Sequence, residues 1–187
     1  MLKDINNAVV ALKSGGVILY PSDTIWGIGC DATSQRAAQK VYNIKGRGKE
    51  NSFIILLDSA TKIPDYVNNT PDILWDLIDS IDFPTTIIYP EAKNLPKNVM
   101  AKDDSIAIRI IKEGFAHELI KKFGKPIVST SANFSGEASP LLFKDINKKL
   151  VDKVDYVAET GRNVLEKMKP STLIKLKPNG EFDILRQ

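Results

Sequence analysis

Short β-forming runs alternating with segments of helical spacing constrain this chain more than any other feature. Ile5, Ala8, Val9 and Leu12 recur on one helical face, Gly15-Gly16 stops that helix, and residues 17–20 form an apolar run closed by Pro21. The order then repeats. Ser34 is placed to cap a helix with inner face Ala37, Ala38, Val41 and Tyr42 and stop Gly46, and the apolar run 53–57 follows. Thr70-Pro71 reads as cap and first-turn proline for a helix burying Ile73, Leu74, Leu77 and Ile78. Strands are expected at 85–89, 106–110 and 127–129, with a helix over Phe115, Leu119, Ile120 and Phe123 stopped by Gly124 and Pro126. Beyond Pro140 the pattern predicts a helix over 143–151, a strand near Tyr156, and a hairpin of 172–176 and 182–185 turning at Asn179-Gly180. Interleaved helices and strands with one hairpin imply an α/β domain on a mixed, twisted sheet. No linker-like break divides it, so 1–187 reads as a single domain, and 43% hydrophobic residues supply its core.

Composition narrows the function before any motif is read. The run 53–57 is as long as any apolar stretch in the chain, far short of the ~18 residues a membrane helix needs. Met1-Leu2-Lys3-Asp4-Ile5-Asn6-Asn7 sets an acid and two amides where a secretion signal would carry its apolar stretch. A cytoplasmic protein with no membrane partner is therefore expected. With Cys30 the single cysteine and His117 the single histidine, an intramolecular disulfide and a Cys/His zinc cluster are excluded, and a protease-type triad would have only His117 to draw on. The net charge of +3 conceals a division: residues 58–91 hold seven acids against one base, Lys62, a net −6 that leaves +9 for the remainder. An acidic helix facing water accounts for the first part, and a basic face attracting phosphates or RNA is one account of the second.

Three polar segments follow apolar ones, at the strand ends where ligands collect in α/β sheets: Pro21-Ser22-Asp23-Thr24, the cationic turn Lys45-Gly46-Arg47, and Ser129-Thr130-Ser131-Ala132-Asn133-Phe134-Ser135-Gly136. Each also has a plainer explanation, as a common turn composition, as charge offsetting a helix dipole, or as a serine-rich loop. Cations among many hydroxyl and amide donors, with no His or Cys partner, describe a site that holds anions and stabilises developing negative charge. Ser131 has no evident base beside it, which disfavours a covalent acyl-enzyme. Gly27-Ile28-Gly29 is only a fragment of a dinucleotide fingerprint and no P-loop occurs, so a nucleotide site here must be of another kind.

Tyr20-Pro21-Ser22-Asp23-Thr24-Ile25-Trp26-Gly27-Ile28-Gly29, then the lysine–arginine turn, then the Ser129–Gly136 segment, then Pro170-Ser171-Thr172 and Leu185-Arg186, resemble in order and spacing the YrdC-type family, the threonylcarbamoyl-AMP synthases. The resemblance spans nearly the whole chain. It implies an open twisted sheet with a basic concave face, and a nucleotidyltransferase reaction in which L-threonine, bicarbonate and ATP give threonylcarbamoyl adenylate and pyrophosphate. ATP is then a substrate, Mg²⁺ would be carried by it, and the product would serve modification of tRNA beside the anticodon through a downstream threonylcarbamoyl transferase complex. Lys45, Arg47, Ser131 and Asn133 match the family's KxR and SxN tetrad, the implied catalytic group. Arg47, Asn51, Ser105, Ser131, Ser139 and Arg186 fall where the family contacts ATP; Thr24, Arg109, Ser129 and Ser171 fall where it contacts threonine. Arg109 is the natural partner for a threonine carboxylate, because a planar fork can bind it bidentately.

The sequence departs from the family pattern at several positions. Gly48, Ser52 and Ile111 replace prolines, Trp26 stands where tyrosine is common, and Leu56 where some members carry a histidine. The sequence lacks the C-terminal extension of some relatives, so closure is expected from its own loops. His117 reads as a surface residue of its helix, Cys30 as a small buried filler and Trp75 as core edge. Two other functions fit the same residues: a module binding tRNA or double-stranded RNA on its basic face, and a related enzyme handling another carbamoyl adenylate.

Overall fold

The computed structural model describes residues 1–46, 53–163, 171–177, 179 and 181–186. These form the strands β1 (Ile18–Pro21), β2 (Trp26–Gly29), β3 (Ile54–Leu57), β4 (Thr85–Tyr89), β5 (Ile106–Ile110), β6 (Ile127–Ser131), β7 (Tyr156–Val157), β8 (Thr172–Leu176) and β9 (Phe182–Arg186). The helices are α1 (Leu2–Lys13), α2 (Gln35–Lys45), α3 (Ile73–Ser80), α4 (Gly114–Phe123) and α5 (Lys148–Val151). The strand order is β7-β1-β2-β6-β3-β5-β4-β8-β9. Pairs β1·β7, β3·β5 and β4·β8 are parallel and the other neighbours antiparallel, so the sheet is mixed, as the alternation of elements implies.

Local signals account for most boundaries. The Ser34 hydroxyl accepts from the Ala37 amide at 3.2 Å, and Gly46 takes the left-handed conformation (φ 61°) that ends α2 at little cost. Gly124 (φ 78°) ends α4 in the same way. Both helices turn their apolar faces inward: Ala37, Ala38, Val41 and Tyr42 from α2, and Phe115, Leu119, Ile120 and Phe123 from α4, are all buried. Three expectations need correction. β2 is a strand that two glycines hide from pattern reading; it exists because a Cβ on Gly29 would sit 2.1 Å from the Val128 carbonyl oxygen, so only glycine lets β6 approach. The helix after Thr70-Pro71 starts later, at Ile73, and Asp72 precedes it without a side-chain cap bond. The helix expected over 143–151 breaks into a 3-10 turn, Phe143–Asp145, and α5, because the Asn147 side chain accepts from the Lys149 amide at 3.0 Å and starts a new helix there. The 3-10 helix Ala60–Asp65 has no counterpart in the sequence reading. At the terminal hairpin β8 and β9 pair as expected, and Gly180 of its turn lies outside the described residues.

Period-2 alternation sorts the site from the rest. Tyr20, Gly27, Ser131, Ser129, Leu56, Arg109 and Thr86 are connected by register and alternation on one face of the sheet. Ile87, Tyr89, Ile108 and Ile110 point to the other. Asp76 and Asp79 of α3, and Asp72 just before it, are exposed, as the reading of an acidic helix facing water expects.

Asp4 ties the first helix to the last third of the chain. Its carboxylate accepts from the Glu159 and Thr160 amides and from the Tyr156 hydroxyl, and it is buried. Burial alone would push its pKa up, but these hydrogen bonds outweigh it and hold it below the ordinary value. A depressed folded pKa stabilises the fold above the unfolded value of ~3.9 and is lost as pH falls through the folded one. At the alkaline end the Tyr156 phenol is pushed up to about 12 by burial and by the Asp4 carboxylate, so its contribution is lost as pH rises from ~10 through that value. Asp4→Asn is expected to cost about 1–3 kcal/mol and to flatten the acid limb of a stability–pH curve measured by urea unfolding.

Candidate active site

The loop leaving β1 is wound around Ser22. Its hydroxyl donates to the Ile25 carbonyl at 2.7 Å and accepts from the Thr24 and Ile25 amides at 3.2 and 3.3 Å, which turns Thr24 inward, where it is buried. There it meets Arg109, 7% exposed on β5. Arg109 Nε donates to Thr86 Oγ1 at 3.0 Å; Nη1 donates to Asp23 Oδ1 at 3.1 Å and Thr24 Oγ1 at 3.0 Å; Nη2 donates to Ser171 Oγ at 2.9 Å. Thr86 and Ser171 share a further hydroxyl–hydroxyl bond of 2.8 Å. Arg186 holds Ser171 from behind, its Nε and Nη2 donating to the Ser171 carbonyl at 3.1 and 2.8 Å. Three of the four residues assigned to threonine thus meet at one guanidinium. Four of its five N–H groups are committed, so an incoming carboxylate has one free donor and gains a second only by displacing a hydroxyl. That amends the expectation of an open bidentate fork.

Ser129 stands beside this cluster rather than in it. It faces Tyr20, which is fully buried across Gly27; a Cβ there would lie 3.3 Å from Ser129 Oγ and 3.4 Å from the Tyr20 hydroxyl. Burial pushes the Tyr20 phenol pKa well up, and the neighbouring Ser129 hydroxyl offsets part of the rise without reaching hydrogen-bond geometry. Leu56, paired in register with Arg109, is fully buried and makes an apolar floor where some family members carry a histidine.

The second cluster forms where α2 ends. Lys45 is 3% exposed, and its ammonium donates to the Ser131 and Asn133 carbonyls at 2.5 and 2.7 Å, while the Ser135 amide donates to the Lys45 carbonyl at 3.0 Å. The lysine therefore moulds the 131–135 turn through backbone, a role its motif does not reveal. The Asn133 amide group donates to the Phe134 and Glu137 carbonyls at 3.0 and 2.7 Å. Its Oδ1 is buried with no partner among the described residues, an acceptor prepared for a donor that the chain does not supply. Lys45, Ser131 and Asn133 are brought together; Arg47 and Asn51 lie outside the described residues. Ser129 and Ser131 are two apart on one strand, so about 7 Å of β6 joins the two clusters.

Two further assigned residues make no bond to either cluster. Ser105 donates to Asp103 Oδ1 at 2.6 Å, which lowers the Asp103 pKa, and immediately precedes β5, on the Arg109 side of the sheet by alternation. Ser139 is exposed and has no hydrogen bond among the described residues. Sequence reasoning missed Asp23 and Thr86 as members of the Arg109 cluster. Asp23 sits inside the quoted motif and Thr86 on an expected strand, but only register puts Thr86 opposite Arg109. Trp26 is packed 4.9 Å from the Phe143 ring and is buried, so it does not line an open pocket wall. His117 is half-buried rather than a surface residue: its Nδ1 donates to the Ile111 carbonyl at 2.7 Å, which secures the turn into α4. Cys30 is a buried filler, as expected. Among the described residues no helix is long and apolar enough to cross a membrane, and no three His, Cys, Asp or Glu side chains converge on a metal.

Known proteins share this arrangement of chain. The Sua5/YciO/YrdC family model, described as telomere recombination, matches residues 10–187. The threonylcarbamoyl-AMP synthase of Pseudoalteromonas translucida is 34% identical over 155 residues, covering 81% of this chain and 83% of its own. P. abyssi Sua5 complexed with L-threonine superposes with a TM-score of 0.85 at 25% identity, over 92% of this chain but 50% of its own length, so this chain spans about half of it. E. coli YciO superposes with a TM-score of 0.86 over 100% of this chain and 90% of its own; at 23% identity that likeness speaks for the fold alone. With a family match from residue 10 to the last and a relative above 30% identity over most of both chains, this protein belongs to the Sua5/YciO/YrdC family.

Proposed function

We propose that residues 1–187 act as one domain that makes threonylcarbamoyl-AMP from L-threonine, bicarbonate and ATP, releasing pyrophosphate. The observation that carries this reading is the joining, by one strand face, of a buried guanidinium ringed by hydroxyls and a buried ammonium beside an unpartnered amide oxygen. Relatives named for that reaction, and a structural neighbour complexed with L-threonine, favour it over an RNA-binding module.

The chemistry follows from fixed positive charge. The threonine amine and bicarbonate condense to a carbamate with loss of water; a carbamate oxygen attacks the α-phosphorus of ATP, and the bond to pyrophosphate breaks. Arg109 receives the threonine carboxylate, exchanging the Thr24 or Ser171 hydroxyl for it, and Ser129 with Tyr20 flanks the amino acid. Lys45 and Arg47 stabilise charge on the phosphates; Ser131 and Asn133 orient the nucleotide, as would Asn51, Ser105 and Ser139, and Arg186 where the two substrates meet beside Ser171. Magnesium fits this site as a partner of the triphosphate rather than of a protein cage, because the described residues offer hydroxyls, amides and cations but no convergent carboxylates. When bound it would neutralise phosphate charge. The product would pass to a transferase complex acting on tRNA, in the cytoplasm.

Pyrophosphate release that requires both threonine and bicarbonate is the expected result; release indifferent to either overturns the reading. Arg47→Ala is expected to lower turnover by about two orders of magnitude, measured as single-turnover pyrophosphate release.

A further inference from the structure

A cavity of about 1010 Å³ lies on the face of the sheet that Arg109 does not use. Ile87 and Tyr89 of β4 and Ile108 and Ile110 of β5 form its floor, and Ile78 of α3 and Phe115 of α4 its walls. Its volume is at the upper end of the range for small-molecule sites, and neither Arg109 nor Lys45 lines it.

Two independent features say what such a chamber would hold. Tyr89 is 1% exposed, yet its hydroxyl makes no hydrogen bond among the described residues, and burial alone pushes its phenol pKa up. That hydroxyl is not sealed off from solvent, so it stands as a donor open to whatever fills the chamber, water or ligand. At the mouth, Asp82 and Glu113 are exposed and neither pairs with a cation among the described residues. The other charged groups there are already engaged: Lys112 donates to the Ile81 carbonyl at 2.7 Å, and Asp23 accepts from Arg109. Phe83, 57% exposed at the same rim, leaves an apolar lip uncovered.

We propose that this cavity is a second binding site, for an organic ammonium compound with an apolar body. Its body replaces the water over the Ile87–Ile110 floor, a polar atom within the body pairs with the Tyr89 hydroxyl, and its ammonium meets the Asp82 and Glu113 carboxylates. The cavity borders the Arg109 cluster through Ser22 and Asp23 but is lined by neither Arg109 nor Lys45, and its direct binding test does not depend on the threonine reading.

Calorimetric titration of the full chain with phenoxypropylamine, phenylbutylamine and phenoxypropionate tests this. Saturable binding of phenoxypropylamine is expected, with phenoxypropionate at least about tenfold weaker because it brings an anion to two carboxylates. Asp82→Asn with Glu113→Gln, at exposed positions, should weaken the amine about tenfold while leaving pyrophosphate release unchanged. Tyr89→Phe should weaken phenoxypropylamine but not phenylbutylamine, which lacks the ether oxygen, and Ile78→Trp should abolish both by filling the chamber. The proposal is overturned if the native chain binds no amine saturably, if the carboxylate compound binds as tightly, or if amine binding is indifferent to the Asp82/Glu113 double variant.

Discussion

Arg109→Ala is expected to abolish threonine-dependent pyrophosphate release and to lower the melting temperature by about 10 °C. The substitution strands Asp23, whose side chain is 19% exposed, without the cation it faces at 3.1 Å, and frees the hydroxyls of Thr24, Thr86 and Ser171 that now share one guanidinium. Removing one partner from a buried ion pair costs about 3–5 kcal/mol, and a chain of this size loses about 2–4 °C per kcal/mol. Stability and activity can be separated. Adding Asp23→Asn removes the stranded charge and should restore part of the melting temperature, but no activity, since the donor to the threonine carboxylate is still missing. Arg109→Lys keeps the charge but cannot serve four acceptors in the plane of a fork, so KM for threonine should rise while KM for ATP stays nearly constant. If the Arg109→Ala, Asp23→Asn protein folds and turns over threonine normally, the guanidinium is structural only.

Lys45→Met is expected to reduce turnover about a thousandfold with threonine KM little changed, read by single-turnover kinetics at saturating substrates. Two losses combine. The Ser131 and Asn133 carbonyls lose their donor at 2.5 and 2.7 Å, which loosens the turn that presents both side chains, and the phosphates lose a fixed charge. The Ser131 carbonyl keeps the Asn133 amide at 2.9 Å, but leaving the Asn133 carbonyl without its ammonium adds about 1–3 kcal/mol of destabilisation. Lys45→Arg should not rescue it: at 3% exposure the site has no room for a guanidinium. A Lys45→Met protein of normal turnover would confine this lysine to shaping the loop.

The contrast between these two residues shows how far the sequence reaches. Both were visible as site candidates, one in a cationic turn and one within an apolar strand, but their working partners were not. Lys45 bonds to backbone carbonyls 86 and 88 residues away, and Arg109 to hydroxyls 85, 23 and 62 residues away. Carbonyls leave no mark in a motif, since every residue has one. Thr86 looked like an ordinary β-forming residue until register set it opposite Arg109. Ser105 and Ser139 matched a family position, yet neither bonds to a member of either cluster, because a match in sequence order fixes no side-chain partner.

What the chain determined by itself was local: the Ser34 and Gly46 limits of α2, the Gly124 stop of α4, the apolar strands, and an inventory of cations and hydroxyls at strand ends. These depend on interactions within a few residues, so they are written in adjacent letters. Tertiary structure alone decided that Trp26–Gly29 is a strand, that β6 lies between β2 and β3, and that the other side of β4 and β5 encloses a chamber. The physical reason is that pairing and packing are settled between segments far apart in sequence. There, the fit of Gly29 against the Val128 carbonyl or of a guanidinium among three hydroxyls counts for more than any local propensity.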